Sequence, residues 1–104
     1  YQGVQFLVSE MSVAVDATRA LLYSAAVAQQ NPQPGLPVAA FKAKLFATET
    51  AIQVTDKALQ MHGGTGYTKE LPLERYYRDV RGLTLHFTPT EPLKETLGKV
   101  LMGL

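Results

Sequence analysis

Residues 38–64 read VAAFKAKLFATETAIQVTDKALQMHGG and carry the strongest structural pattern in the chain. One stripe, at alternating spacings of three and four residues, predicts an amphipathic helix: Val38, Phe41, Leu45, Thr48, Ile52, Thr55, Leu59 and His62. A second stripe of mostly small residues runs beside it: Ala40, Ala43, Ala47, Ala51, Val54, Ala58 and Met61. Two adjoining stripes predict a helix covered on more than one side, and the alanine-rich side lets another backbone come close. Gly63 and Gly64 are expected to end this helix.

The flanking segments predict further helices. Apolar residues at helical spacing run through residues 4–30, and the turn-forming residues 31–35, NPQPG, should stop that helix. Residues 65–71 are predicted as a turn or loop, residues 72–81 as a short helix, and residues 90–102 as the last helix. We therefore predict an all-α fold, an antiparallel bundle of three main helices plus one short helix, forming a single domain over residues 1–104.

The start of the last helix has two interpretations. Thr88 with Glu91 fits a capping box, in which the two residues satisfy each other's free amide groups. Pro92 would then lack the amide needed for the first intrahelical hydrogen bond, to the Thr88 carbonyl. Capping by Thr90 avoids this conflict, and we favour it.

The composition limits the classes of function. A formal net charge of +1 argues against nucleic-acid or anionic-membrane binding, since both normally need a strong basic excess. Without cysteine there is no disulfide, no thiolate nucleophile and no zinc site of the cysteine type. No apolar run reaches the roughly 18 to 20 residues of a membrane span. We predict neither a nucleic-acid nor a membrane partner.

Three glycines within four positions mark the stretch Gln60-Met-His-Gly-Gly-Thr-Gly-Tyr67. Such a backbone turns freely and lets a ligand approach closely, although a glycine-rich helix end is usually just a C-cap. His62 lies on the apolar stripe, which favours a packed, hydrogen-bonded histidine. No metal site is predicted, because no carboxylate shares the usual helical spacing with His62 and the other histidine, His86, is 24 residues away.

Charged and aromatic residues concentrate in the run Glu74-Arg-Tyr-Tyr-Arg-Asp-Val-Arg81. Arg75 and Arg78 share a helical face, and Arg81 continues it. The run predicts either a solvated face with local ion pairs, each worth little when exposed, or a subunit contact, because arginine and tyrosine are favoured at interface centres.

These motifs resemble the acyl-CoA dehydrogenase family. Residues 41–47, FKAKLFA, are similar to its A-x-A-K-x-F-A helix entry, residues 60–67 to its Q-x-H-G-G-x-G-Y turn, and residues 72–81 to its P-x-E-R-x-Y-R-D-x-R segment. Residues 1–5, YQGVQ, also match the family's F-Q-x-V-Q. The resemblance covers essentially the whole chain.

The resemblance implies a function for these motifs. In this family FAD takes a hydride from the β-carbon of an acyl-CoA thioester, and the glycine-containing turn of one subunit contacts the FAD of its dimer partner. Carried over, it implies FAD contacts from Gln60, Met61, His62, Gly63, Gly64, Thr90 and Glu91. It assigns Arg75, Arg78, Asp79 and Arg81 to structure and to the subunit interface.

One position departs from the family pattern. Many members carry a catalytic glutamate in a Y-E-G-T-x-E segment, which aligns with His86-Phe-Thr-Pro-Thr-Glu91 and puts Phe87 at the base position. Phenylalanine cannot accept a proton, so no catalytic residue is assigned in this chain. The base could lie upstream, the chain could belong to a subunit with an incomplete site, or His86 could substitute.

The resemblance also implies context. It predicts a C-terminal bundle domain that lacks its first helix and its upstream domains, and that is inactive in isolation. The partners would be acyl-CoA, through the full-length enzyme, and further subunits in a homo- or hetero-oligomer, a dimer or a tetramer. The alternative is a non-catalytic subunit that completes a partner's flavin site. The expected location is the bacterial cytoplasm or the mitochondrial matrix.

Overall fold

The computed structural model describes all 104 residues as five α-helices joined by short loops. The helices are α1 (Gln2–Gln30), α2 (Val38–Met61), α3 (Gly63–Tyr67), α4 (Leu73–Leu83) and α5 (Thr90–Met102). The predicted all-α bundle is confirmed, and the predicted span of the last helix matches α5.

Helix α2 is the centre of the molecule, because each of the other four helices packs against it and α1 packs against nothing else. Helices α1 and α2 run antiparallel, since Glu10 near the start of α1 forms an ion pair with Lys57 near the end of α2. The alanine-rich stripe of α2 faces α1, where Ala47 and Ala51 line the same crevice as Val15. This is the close backbone approach that the second stripe predicts.

The core is small, and most of it lies where α4 and α5 cover α2. Only eight residues are buried: Ala43, Thr48, Thr50, Gly66, Thr84, Thr90, Leu93 and Leu97. Two threonines of α2 satisfy their hydroxyls locally: Thr48 donates to the Lys44 carbonyl at 2.9 Å and Thr55 to the Ala51 carbonyl at 2.7 Å. A threonine bonded back to its own helix packs at low cost, because no polar atom is left without a partner.

The molecule is elongated. Its Cα radius of gyration is 16.3 Å and its axes measure 49 × 25 × 24 Å, against a radius of about 13 Å for a compact domain of this length. Helix α1 accounts for much of this length, since 29 helical residues span about 43 Å. None of its side chains is buried. A long apolar helix packed on one side only leaves much of its surface open to another structure.

Three local predictions were wrong. Residues 63–67 form the one-turn helix α3, although residues 65–71 were expected to be non-helical. Thr90 does not cap α5; it is the first helical residue, after Pro89, and no side-chain cap is formed. Its hydroxyl is drawn instead to the Thr84 carbonyl, 3.4 Å away. His62 is hydrogen-bonded as expected, but it is exposed because the chain turns away from the core at that point.

Candidate functional site

The glycine turn, residues 60–67, is built from three glycines with different tasks. Helix α2 ends at Met61, and Gly63 reverses the chain with a φ of +59°, a conformation that strongly favours glycine. Gly66 is buried, and a Cβ there would lie 2.9 Å from both the His62 Cβ and the Leu59 carbonyl oxygen. Gly64 is exposed and has no neighbouring atom within 4 Å of a Cβ position. Gly63 and Gly66 are therefore required by the fold, whereas Gly64 is not.

The side chains of the glycine turn face outward. Gln60 and His62 are exposed, and Met61 is half-buried. The His62 Nδ1 lies 2.7 Å from the Ala58 carbonyl oxygen. A carbonyl only accepts, so Nδ1 is assigned as the donor, and in the neutral ring Nε2 is left as a free acceptor. The turn thus presents an amide, an imidazole nitrogen and open backbone at the surface of the molecule.

Thr90 and Glu91 belong to a second place, a crevice where the end of α4 and the start of α5 meet α2. The crevice has a volume of about 220 Å³ and is lined by Glu49, Ile52, Arg81, Thr84, Leu85, Thr90, Glu91 and Lys94. Thr90 is buried, and its amide donates to the Thr84 carbonyl at 3.0 Å, while Glu91 is exposed. Of the two predicted contact residues, Glu91 is therefore the more open to a ligand.

An exposed ion pair joins α5 to α2 beside this crevice. Lys94 Nζ lies 2.9 Å from Glu49 Oε1 on α2. The hydrogen bond and the charge of Glu49 raise the pKa of Lys94 above its usual value of 10.5, and the charge of Glu91 adds to the effect. The crevice therefore contains both signs of charge, with Arg81 and Lys94 facing Glu49 and Glu91.

The structure does not bring the two groups of predicted FAD contacts together. Gln60 follows the crevice residue Ile52 by eight residues along α2, a rise of about 12 Å. Residues 60–64 lie in the glycine turn and residues 90–91 at the crevice. A single ligand that contacts both places must extend from one to the other; otherwise each place contacts a different ligand molecule.

The α4–α5 loop, residues 84–89, holds the position where the family pattern has its base. Phe87 is 96% exposed and has a φ of +56°, the only positive φ outside glycine. The neighbouring His86 is also exposed; its ring meets that of Phe87 edge to face at 6.4 Å, and Gly82 lies beside it. The loop therefore presents one aromatic and one imidazole ring at its tip.

Sequence reasoning missed the role of Lys44 in α2. Its Nζ donates to the Thr88 carbonyl at 2.8 Å and lies 3.5 Å from the Leu83 carbonyl, so it bridges the two ends of the α4–α5 loop. The sequence does give one indication of this role: Lys44 follows Ala43 on the alanine-rich side of α2, a helix that other helices cover. A charged group there needs polar partners, but which groups they are depends on the tertiary structure.

The arginines of α4 act locally in this chain. The Arg75 guanidinium lies 5.4 Å from the centroid of the Tyr76 ring, and Arg81 donates to the Thr84 hydroxyl. Arg78 lines a surface crevice with Leu59 and Tyr77. Their assignment to a subunit interface stays a prediction.

The structure contains no cluster of three or more histidine, cysteine, aspartate or glutamate side chains placed to hold a metal ion. None of its helices combines the length and the apolar character needed to cross a membrane.

Comparison with known proteins identifies the family. The profile of the acyl-CoA dehydrogenase C-terminal domain matches residues 1–102. The chain belongs to the acyl-CoA dehydrogenase family. It is 44% identical over 80 residues to the mitochondrial short-chain specific acyl-CoA dehydrogenase of Bos taurus, which covers 77% of this chain and 19% of that protein. It is 46% identical over 85 residues to the 3-sulfinopropanoyl-CoA desulfinase of Advenella mimigardefordensis, which covers 82% of this chain and 21% of that protein.

The same family appears among solved structures. Butyryl-CoA dehydrogenase from Megasphaera elsdenii superposes with a TM-score of 0.91 and 32% identity, covering 98% of this chain and 26% of that chain. The resemblance drawn from the motifs is confirmed at the level of family and fold. The acyl-CoA dehydrogenase domain described here spans about a fifth to a quarter of the length of these relatives.

Proposed function

We propose that this chain is the FAD-binding and oligomerising domain of a flavin-dependent acyl-CoA dehydrogenase, which forms the α,β double bond of acyl-CoA thioesters. Bound FAD supplies the hydride acceptor. The observation that carries the proposal is the glycine turn: Gly64 is open although this chain's own packing does not require a glycine there. A glycine that the fold does not need fits a surface approached by a ligand.

The chain's own groups suit a nucleotide cofactor. Gln60 offers a donor and an acceptor, His62 offers Nε2, and residues 63–64 leave their backbone accessible. Glu91, at the crevice, would make a separate contact. The distance between the two places fits the expectation that the turn serves a partner subunit's FAD. Under this proposal the domain both binds the cofactor and joins subunits.

Separate substitutions of Gly64 and Gly66 distinguish an effect on FAD binding from an effect on folding. In the full-length protein, we expect Gly64→Ala to leave the thermal unfolding midpoint unchanged or higher, because Ala is favoured over Gly in a helix by about 1 kcal/mol. The variant should nevertheless lose FAD on dialysis faster than the wild type, as followed by flavin absorbance. Gly66→Ala, the control, should lower the midpoint, because its Cβ would meet backbone at 2.9 Å. Unchanged FAD retention in Gly64→Ala, or a wild-type protein without flavin, would refute the proposal.

Phe87 favours a second candidate, an acyl-CoA flavoprotein that does not dehydrogenate. Its ring has no atom that accepts a proton, and one relative of this domain is a 3-sulfinopropanoyl-CoA desulfinase. The two reactions differ in their products. Flavin bleaching by saturated acyl-CoA indicates the dehydrogenase, whereas sulfite release from 3-sulfinopropanoyl-CoA without bleaching indicates the desulfinase. An absence of both indicates a non-catalytic subunit that completes a partner's flavin site.

The proposal includes a domain arrangement and a location. An N-terminal helical domain and a β-domain, with one further bundle helix, would precede this domain and supply the rest of the flavin and substrate sites. The protein would act in the bacterial cytoplasm or the mitochondrial matrix, since the relatives include bacterial and mitochondrial enzymes.

A further inference from the structure

Lys44, on α2, is hydrogen-bonded to Thr88 in the α4–α5 loop and to Leu83, the last residue of α4. No other side chain outside α4 and α5 forms a hydrogen bond with this loop. The Lys44 ammonium lies 2.8 Å from the Thr88 carbonyl and 3.5 Å from the Leu83 carbonyl, and no carboxylate lies within ion-pair distance. The charge is thus directed at backbone alone. A cation at the end of α4 also meets the negative end of that helix's dipole.

The loop is closed at its base as well. The Thr84 carbonyl accepts from the Thr90 amide at 3.0 Å, and the Leu85 and His86 amides donate to the Gly82 carbonyl at 2.9 and 3.1 Å. Two of these closing groups, Thr84 and Thr90, are buried. Lys44 adds the bond nearest the tip, because Thr88 directly follows Phe87.

A phenylalanine at positive φ needs such support. Bulky residues rarely adopt this region, and they persist in it only where the surroundings over-determine the backbone. The Thr88 carbonyl belongs to the residue after Phe87, so the bond from Lys44 limits how the backbone at Phe87 can rotate. The result is an exposed aromatic ring on a fixed backbone.

We propose that Lys44 is a positioning residue that holds the α4–α5 loop so that the Phe87 ring packs against the acyl group of the thioester. This inference rests on the proposed function: Phe87 aligns with the proton-accepting glutamate of the family pattern, and a group that removes a proton from the thioester must lie beside the acyl group. Lys44 acts through the backbone and touches no substrate. Phe87 contributes an apolar surface and no proton transfer, so its effect is on fit to the acyl group.

The test uses the full-length protein with Lys44→Met, which keeps the length of the side chain and removes the ammonium. Lys44→Arg keeps the charge and should rescue. Lys57→Met is the matched control, because it removes a lysine from the same helix that is paired with α1 and not with the loop. Three quantities are measured for each: amide hydrogen exchange of residues 84–90, the thermal midpoint, and kcat and KM for acyl-CoA.

We expect Lys44→Met to speed exchange in the loop about tenfold, since the opening of a locally closed segment becomes easier. We expect kcat/KM to fall by about tenfold or more, because small misplacements of a contact are costly in turnover. The thermal midpoint should move no more than in Lys57→Met, and Lys44→Arg should restore both loop exchange and kcat/KM.

Unchanged loop exchange in Lys44→Met would overturn the proposal. Faster exchange with unchanged kcat/KM would overturn it too, since the loop would then be held without consequence for the substrate. A fall in kcat/KM that follows a general loss of stability, equal in Lys57→Met, would show a structural role only. A wild-type protein that binds no acyl-CoA would instead refute the proposed function and with it the contact of Phe87, while the exchange data would still decide whether Lys44 holds the loop.

Discussion

Phe87 combines an unfavourable backbone with an exposed ring. Left-handed φ costs an L-residue with a Cβ about 1–2 kcal/mol, whereas asparagine tolerates it. We expect Phe87→Asn to stabilise the full-length protein by about 1 kcal/mol, because the strain at this residue is relieved. The same variant should bind acyl-CoA more weakly, because the ring is lost. Chemical denaturation and thioester titration measure the two effects.

Phe87→Ala is the matched control for this prediction. Alanine also removes the ring, but it lacks the short polar side chain whose local hydrogen bonds let asparagine tolerate a φ of +56°. Weaker acyl-CoA binding should therefore occur in both variants, and the gain in stability only in Phe87→Asn. Equal stability of the two variants would show that the backbone at this position is not strained in the full-length protein.

Single residues also show where sequence reasoning stops. The glycine turn could be located from its letters, since Gly63 ends α2 as expected. The different tasks of Gly64 and Gly66 could not, because they depend on whether Leu59 lies nearby in space. Thr90 illustrates the same limit: a threonine before a helical run usually caps it, yet here its hydroxyl bonds to the Thr84 carbonyl.

At the scale of elements, the attachment of α5 to α2 should depend on pH. The pKa of Lys94 is raised above 10.5 by its bond to Glu49, so folding favours the protonated lysine. The stability contributed by this pair is fully present below pH 10.5 and is lost as the pH rises through the higher folded value. Lys94→Met should therefore be less stable than wild type at neutral pH, and the difference should shrink above pH 10.5.

Lys42→Met is the control for this comparison, because Lys42 is exposed and forms no ion pair. Its stability difference from wild type should be small and should not shrink in the same way. Thermal unfolding at a series of alkaline pH values measures both variants. A difference between Lys94→Met and wild type that stays constant above pH 10.5 would contradict a role for the charged pair.

Long periodic elements were the easiest to predict. The two stripes of α2 predict a helix covered on several sides, and α2 indeed contacts every other helix. Helix α3 was missed because its sequence, GGTGY, has poor intrinsic helix propensity. It forms because Gly66 lets the chain fold back against the end of α2, a tertiary effect that outweighs local preference. The crevice at α5 was not predictable either, since its lining comes from three separate helices.

At the scale of the whole molecule, α1 exposes large apolar side chains on its outer surface. Phe6 and Val13 are seven residues apart, and Val13 and Val27 are fourteen residues apart. The exposed fractions of these three side chains are 58%, 70% and 64%. Residues at this spacing lie on one side of a helix. Because α1 contacts only α2, this side has no partner within the chain. Exposed apolar side chains without a partner promote association.

We expect the 104-residue chain alone to self-associate through this side of α1, with an apparent mass that falls on dilution. Val13→Arg should shift the chain toward the monomer, because a charge at a 70%-exposed position opposes apolar contact without disturbing the packing against α2. Ser12→Arg adds the same charge at a neighbouring exposed position that carries no apolar side chain, so it should leave association nearly unchanged. Sedimentation velocity over a concentration series measures all three proteins. A wild-type chain that stays monomeric throughout, or equal dissociation in the two variants, would show that this surface of α1 does not drive association.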